Sequence, residues 1–384
     1  MIMHTPFIVN TPPMGWNSWN TFYDQINEEL ICSTADEMVS QGLLKAGYEY
    51  LIIDDCWSRR DRDENGNLAA DPIKFPHGIK AVADYVHSKG LKFGIYSCCG
   101  VHTCAKYPGS FEHEFDDAKQ FAEWGVDYLK YDNCYRPSTI SGDMLYRRMS
   151  MALRSCGRNI LLAACQWGGD NVHQWIRSTG AHTFRSTVDI QDNWHSIETI
   201  ANSQLEHQYS NAQGCFNDMD ILVVGMHGGG FNPETSMGGC TDTEYQTHFV
   251  LWAMMNSPLI IGCDVRNLSN KSKDILTNPD VIAINQDPEC RSCQKYNTFA
   301  SPDAFTLVKP LAGGDYAIGF FNFGDTSAYI EQHFWDMGLP RASGFGIEFY
   351  DCLNHRNLGV KQEYHAAVVE AHGCNLYRCH LKEI

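Results

Sequence analysis

Eight short apolar runs, separated for the most part by amphipathic stretches, constrain the fold of this chain more than any other feature. The runs fall at 14–19, 48–54, 92–97, 127–132, 160–166, 183–186, 216–220 and 258–262. They are rich in branched and aromatic residues and have the length of strands. Residues 28–41 open with Glu28 and Glu29 and place Met38 and Val39 on an apolar face, and 79–88 and 116–124 are similarly amphipathic, so helices are expected there. Eight alternating units predict an α/β fold, a (β/α)8 TIM barrel in preference to an open doubly wound sheet. At 384 residues the chain has room for such a barrel and a companion module. Beyond Asp287-Pro288 the helical pattern fades, and short runs at 305–308, 316–321, 346–350 and 376–380 predict a C-terminal antiparallel β-sandwich domain. The expected division is 1–290 for the barrel and 291–384 for the sandwich.

Charge and composition exclude several classes. A net charge of −17 argues against nucleic acid and anionic membrane surfaces as partners, and no apolar run is long enough to span a bilayer. The stretch from Met1 to Thr11 lacks a basic segment followed by an apolar one, so a cytoplasmic location is expected, or secretion if a leader was trimmed away. The 16 cysteines are spread along a large chain, many in strand-like runs, and are read as mostly buried reduced thiols.

The chemistry gathers at the strand ends. In the run Tyr128 to Asn133, Lys130 and Asp132 are two apart and point to the same side of a strand, at the end where such barrels keep their active sites. A structural ion pair is the plain alternative from this run alone. Other runs end in Trp16 and Trp19, Asp54 and Asp55, Tyr96, Gln166 and Trp167, Arg185 with Asp189 beyond it, and Asp218 with Asp220. Carboxylates that accept from hydroxyls, together with aromatic faces that cover C–H surfaces, suit a neutral polyhydroxylated ligand. The same acids would suit a divalent cation, but Lys130 and Arg185 would sit badly beside one, so no metal is expected. No phosphate-binding glycine motif is placed to hold a nucleotide, and no organic cofactor is expected.

Six motifs carry a resemblance: PPMGWNSWN from Pro12, YEYLIIDDCW from Tyr48, DPIKFPHGIK from Asp71, GIYS from Gly94, YLKYDNC from Tyr128 and VIAINQDP from Val281. With these the chain resembles the α-galactosidases of glycoside hydrolase family 27 over nearly all of residues 11–290, and more loosely over the C-terminal part. The resemblance implies a retaining glycosidase with Asp132 as nucleophile and Asp189 as acid/base. It also implies Asp54 and Asp55 on the 4- and 6-hydroxyls of galactose, Trp16 as the pocket floor, and Tyr96, Lys130, Arg185 and Asp220 completing the site. Gln166 and Trp167 join the expected substrate contacts. Cys104 and Cys134 match a pair often bonded near the family's active site; a reducing compartment opposes that bond, so Cys104 is taken as a wall residue. The implied partner is a small-molecule or oligosaccharide substrate with a terminal α-galactose, and oligomeric state is not legible.

Several positions depart from the usual family pattern. Gln166 stands where many members have Glu, Phe184 and Phe216 replace Trp, and Met219 replaces Pro. Gln166 can still bond a 2-hydroxyl, and it fills space that an N-acetyl group would need. Alternatives are a β-L-arabinopyranosidase, an α-N-acetylgalactosaminidase, a transglycosylase on the same site or, from another class, a non-catalytic sugar-binding protein. The first is opposed by the intact Asp54-Asp55 pair, and the last by the presence of both Asp132 and Asp189. The glycine-rich segment 227–242 is longer than the family usually has, and is expected to be a lid, a subsite for the leaving group or a flexible surface insert. Cys290, Cys293, Cys374, Cys379 and His380 have the residue types of a structural zinc site, with free thiols or disulfides as the commoner outcome.

Overall fold

The structure is a computed structural model, and it describes residues 8–235, 238–298 and 301–384. Most of the N-terminal stretch used above for location, and residues 236 and 237 of the glycine-rich segment, lie outside the described residues. Eight parallel strands form the first sheet: β1 (Met14–Asn17), β2 (Tyr50–Ile52), β3 (Lys92–Cys98), β4 (Tyr128–Asp132), β5 (Leu161–Cys165), β6 (Thr183–Arg185), β7 (Phe216–Asp218) and β8 (Leu259–Ile261). Their order, β7-β6-β5-β4-β3-β2-β1-β8, is that of a barrel unrolled between β7 and β8. Leu222 closes the seam: its N–H donates to Ile260 at 2.7 Å and its carbonyl accepts from Gly262 at 2.9 Å. The seventh run therefore ends as a strand at Asp218 rather than Asp220. There Asp218 accepts from the Asp220 N–H at 2.9 Å, and Asp220 adopts a φ of 82°, turning the chain before it rejoins the sheet.

The expected helices form at Glu28–Ser40, Gly78–Ser88 and Glu114–Trp124. The first starts where Asn27 accepts from the Leu30 N–H, an N-cap that satisfies one of the turn's orphan donors. It buries Leu30, Ile31 and Met38 against the barrel, whereas Val39, expected on the same face, is 43% exposed. Close packing between β1 and β2 depends on Gly15, where a Cβ would lie 2.4 Å from the Tyr50 carbonyl oxygen. A separate interior cluster that includes Tyr50, Ile52, Tyr128, Leu161, Phe216 and Ile260 fills the barrel below the site. It is a packed floor and not a channel.

The C-terminal region is antiparallel, as expected. Strands β9 (Gln294–Asn297), β10 (Ala304–Pro310), β11 (Tyr316–Asn322), β12 (Ala328–His333), β13 (Phe345–Asp351), β14 (Arg356–Lys361), β15 (Tyr364–Val369) and β16 (Cys374–Glu383) build it. A six-stranded sheet, β14-β13-β16-β11-β10-β9, and the β12-β15 pair share a core that includes Ile318, Phe320, Ile330, Phe349 and Tyr377. Strands β9, β12, β14 and β15 were not expected. β9 and β14 lie at the two edges of the large sheet and are mostly solvent-facing, so their sequences lack a buried apolar face.

The two regions meet along the helix Asp242–Met254, which opens on a Thr241/Glu244 capping box and is buried at every position from Thr247 to Met254. Such an all-round burial arises because β11 and β16 cover the side that a barrel helix ordinarily presents to water. From β10, fully buried Lys309 donates to Asn256 Oδ1 at 2.7 Å, the Ile284 carbonyl at 2.7 Å and the Ala253 carbonyl at 3.3 Å. Two of these acceptors lie at the ends of the helices Asp242–Met254 and Pro279–Asn285, where carbonyls lack intrahelical donors. Burial lowers the Lys309 pKa to about 8.

Lys309→Ala should lower unfolding stability by about 3 kcal/mol, because it leaves a cavity and two undonated acceptors. Between about pH 8 and the ordinary 10.5 the unfolded chain holds one more proton at this lysine than the folded one. Wild type should therefore gain stability relative to the variant as pH rises through that window, as chemical unfolding at several pH values would show. A pH-independent difference would contradict the buried, depressed lysine.

Candidate active site

Period-two alternation on β4 sets the site. Tyr128 belongs to the interior floor, so Lys130 and Asp132, two and four residues on, face inward at successively higher levels. Parallel register places Tyr96 of β3 beside Lys130, and Cys165 of β5 beside both Asp132 and Arg185. These strand ends surround a cavity of about 120 Å³. Its lining includes Asp54, Tyr96, Cys104, Lys130 and Asp132, and on the other side Trp167, Arg185, Asp189 and Asp220. Below it lies a nearly filled space of about 20 Å³ that shares Lys130, Arg185, Asp220 and Ile221. A wider cleft of about 390 Å³ lies near the junction with the sandwich, but Asp274 is its sole carboxylate and no paired acids line it.

Asp132 is 5% exposed and is held by three donors. The Tyr96 hydroxyl donates to Oδ2 at 2.7 Å, and the Asn133 N–H and Trp167 Nε1 donate to Oδ1 at 2.8 and 3.0 Å. Burial raises the Asp132 pKa above the ordinary carboxylate value, against the opposing pull of Lys130, Arg185 and the Tyr96 hydroxyl. Lys130 Nζ lies 2.8 Å from Asp54 Oδ2, which also accepts from Asn17 Nδ2 at 2.7 Å. Burial opposes the Lys130 charge, yet Asp54 and Asp132 hold its pKa above the ordinary lysine value. Arg185 pairs with Asp189 and lies 3.5 Å from Asp220 Oδ1. The Arg185 guanidinium lowers the Asp189 pKa, outweighing partial burial. Asp189 is half exposed, whereas Asp220 is buried and accepts from the N–H groups of Ile190 and Ile221.

Three expected contacts are placed elsewhere. Trp16 is fully buried in the layer between strands and helices, with Nε1 donating to the Cys263 carbonyl at 2.8 Å. It shares the outward face of β1 with Met14, and partly exposed Trp19, just past the strand end, lines the cavity instead. Both tryptophans stand in one motif, and their position relative to the strand end was the signal that separates them. Asp55 does not line the cavity either. Its oxygens accept from the N–H groups of Cys56 and Ala105 at 2.7 and 3.0 Å, which ties down the loop after β3, and burial pushes its pKa up to about 6. Successive residues alternate sides, so only Asp54 faces in. Gln166 is 1% exposed and also lies behind the lining; neither amide atom has a partner among the described residues. Asn20, Ile221, Glu234 and Thr235 complete the lining without having been singled out.

Cys104 and Cys134 are joined as a disulfide, the bond that the expected reducing compartment opposed. The loop after β3 can lie this close because residue 100 is glycine; a Cβ there would sit 2.0 Å from the Cys134 carbonyl oxygen. Cys104 Sγ is 3.6 Å from Asp132 Oδ2, so the disulfide forms one wall of the cavity. Cys104, Cys134 and Asp132 are the one grouping of three potential metal ligands among the described residues, and two of the three are bonded to each other. The suggested zinc set is not brought together: Cys290 donates to Asn10 and Asp287 carbonyls, Cys293 to Gln208, and exposed His380 bonds Asp315.

A barrel whose mouth gathers several carboxylates in one cavity, with aromatic walls and fixed cations, has the organisation of a glycoside hydrolase. Residues 11–287 match the family described as Alpha galactosidase A, and residues 303–379 match the Alpha galactosidase C-terminal beta sandwich domain. The chain is 42% identical to an α-galactosidase of Coffea arabica over 96% of this chain and 93% of that one. Among solved structures, α-galactosidase I of Mortierella vinacea superposes with a TM-score of 0.89 at 34% identity, covering 97% of both chains. An α-galactosidase of Saccharomyces cerevisiae with raffinose superposes with a TM-score of 0.87 at 30% identity, covering 99% of this chain and 100% of that one. The chain belongs to the α-galactosidase family, family 27 of the glycoside hydrolases.

Thiol titration checks the disulfide. Of the 16 cysteines, 14 are free, so denatured, unreduced protein should react with 14 equivalents of thiol reagent, rising to 16 after reduction. Sixteen equivalents before reduction would show that the pair is not bonded.

Proposed function

We propose that this protein is a retaining, exo-acting α-galactosidase in which Asp132 is the nucleophile and Asp189 the acid/base. The observation that carries this reading is the contrast between Asp132 and Asp189 among the carboxylates that line the cavity. Asp132 is buried and fixed by Tyr96, Trp167 and Asn133, whereas Asp189 is half exposed and held by an ion pair that a side-chain rotation would break. A nucleophile needs a fixed line of attack, and an acid/base must reach first the leaving oxygen and then a water. A cavity of about 120 Å³ with a packed floor suits one terminal sugar rather than the middle of a polysaccharide chain.

In the first step an Asp132 oxygen attacks the anomeric carbon, the bond to the leaving oxygen breaks, and Asp189 gives that oxygen its proton. In the resting protein Arg185 favours ionised Asp189. Productive binding must therefore turn Asp189 away from Arg185 toward the glycosidic oxygen, which raises its pKa and lets it carry a proton. Once Asp132 is an ester its negative charge is gone, and Asp189 becomes more acidic. It can then act as base, taking a proton from the water that attacks the anomeric carbon and releases Asp132. Two displacements at one carbon retain the α configuration.

Lys130 and Arg185 balance the charge through both steps. Asp54, braced by Lys130 and Asn17, accepts from the sugar's hydroxyls, and Trp19 covers its apolar face. Gln166 is packed behind the lining, where its bulk backs the cavity wall and leaves little room for an N-acetyl group, which favours galactose over its N-acetylated analogue. The substrate class is oligosaccharides or glycoconjugates ending in α-linked galactose. No helix among the described residues is long and apolar enough to cross a membrane.

Asp132→Asn should cut kcat by at least about a thousandfold, because an amide cannot form the glycosyl ester. A variant retaining a tenth of wild-type turnover would remove Asp132 from the role. Asp189→Ala should lose about a hundredfold or more on natural galactosides but far less on p-nitrophenyl galactoside, whose leaving group needs little protonation. Equal losses on both would exclude Asp189 as the acid. Lys130→Met removes a charge that lowers the Asp132 pKa, so the acid limb of kcat/KM should move to higher pH. An unmoved limb would show that Asp132 does not set it.

A further inference from the structure

The glycine-rich segment 227–242 is pinned on both sides of the cavity. Four hydrogen bonds anchor it and its following helix to Asp192, a fully buried residue three positions beyond Asp189. Gly228 N–H donates to Asp192 Oδ2 at 2.7 Å, the Tyr245 hydroxyl to Oδ1 at 2.8 Å and Gly239 N–H to the Asp192 carbonyl at 2.8 Å. The Asp192 N–H in turn donates to the Thr235 carbonyl at 2.9 Å. Toward the loop after β1, Phe231 N–H donates to the Thr21 carbonyl at 2.6 Å and Thr235 Oγ1 to the Asn20 carbonyl at 2.7 Å. These bonds set Glu234, whose N–H is held by Asn232 Oδ1 at 3.0 Å, on the lining of the cavity that contains Asp132 and Asp189.

We propose that Glu234 is the polar contact of a leaving-group subsite, accepting hydrogen bonds from hydroxyls of the sugar to which the terminal galactose is attached. The proposal rests on the α-galactosidase reading. Lys130, Arg185 and Asp220 border the packed floor, whereas Glu234 and Asp189 are the exposed carboxylates of the lining and stand at the mouth. Whatever is bonded to the oxygen that Asp189 protonates has to leave past them. A carboxylate is acceptor-only, so it matches the donor-rich edge of a neutral sugar and offers nothing to an aryl group. Its described residues are hydrogen-bonded to both neighbouring loops, which suits a standing wall rather than a closing lid. Asp192 is the positioning residue of that wall.

Glu234→Gln and Glu234→Ala, compared with wild type on raffinose and on p-nitrophenyl α-galactoside, test this. Glu234→Ala should lose about tenfold in kcat/KM on raffinose, mainly through KM, and Glu234→Gln less, because its amide oxygen still accepts. Both should stay within about twofold of wild type on the aryl substrate, which presents no hydroxyls at that position. Equal losses on both substrates, or an unchanged raffinose constant in an active enzyme, would overturn the subsite alone. Wild type that turns over neither substrate would overturn the α-galactosidase reading and the subsite with it.

Discussion

Anionic groups gathered in a water-poor barrel mouth have to be balanced by fixed cations, and Lys130 and Arg185 perform that task for the whole site. Lys130 sits on Asp54, and Arg185 sits between Asp189 and Asp220. Burial works against the charges of Lys130, Arg185 and Asp132, so removing either cation would leave buried anions in a medium that does not tolerate them. Parallel register makes the balance possible. It brings Tyr96 beside Lys130, and Asp132 to the same level as Cys165 and Arg185, so opposite charges from different strands converge without long side-chain excursions. The same balance gives Asp132 and Asp189 different settings, because only Asp189 has its cation in a contact that solvent can reach.

The sandwich is joined to this site through one helix. Asp242–Met254 sends Tyr245 to Asp192 and so to the wall of the cavity. Its Glu244 bonds His372 next to β16 at 2.7 Å, and its last turn receives Lys309 from β10. A helix clamped at both ends by the companion domain is a stiff support for a loop rich in glycine. Through these contacts the C-terminal region packs against the helix that follows segment 227–242.

Much of this organisation was legible in the chain. All eight barrel strands lie within the apolar runs or within one residue of them, since buried parallel strands need near-continuous apolar sequence. Nine of the twelve expected site residues line one cavity. The three displaced ones, Trp16, Asp55 and Gln166, follow a common cause. Each sits next to or near a residue that does face in, and membership in a motif says nothing about which side of the backbone a side chain takes. The edge strands β9 and β14 were missed because strands with no buried face carry no alternation to read.

Local patterning determined the barrel, the sandwich and the chemical types at the strand ends, because hydrophobic period and strand length are properties of neighbours along the chain. Tertiary structure alone decided where the strand ends fall, and with them which aspartate and which tryptophan of a motif meet the cavity, and whether Cys104 meets Cys134. It also decided that a glycine-rich insert would be anchored to Asp192 and not left free. Those outcomes depend on distances between segments far apart in sequence. Such distances are fixed by strand register, by close approaches such as that of Gly100 to Cys134, and by buried hydrogen bonds that exist only once the barrel has closed.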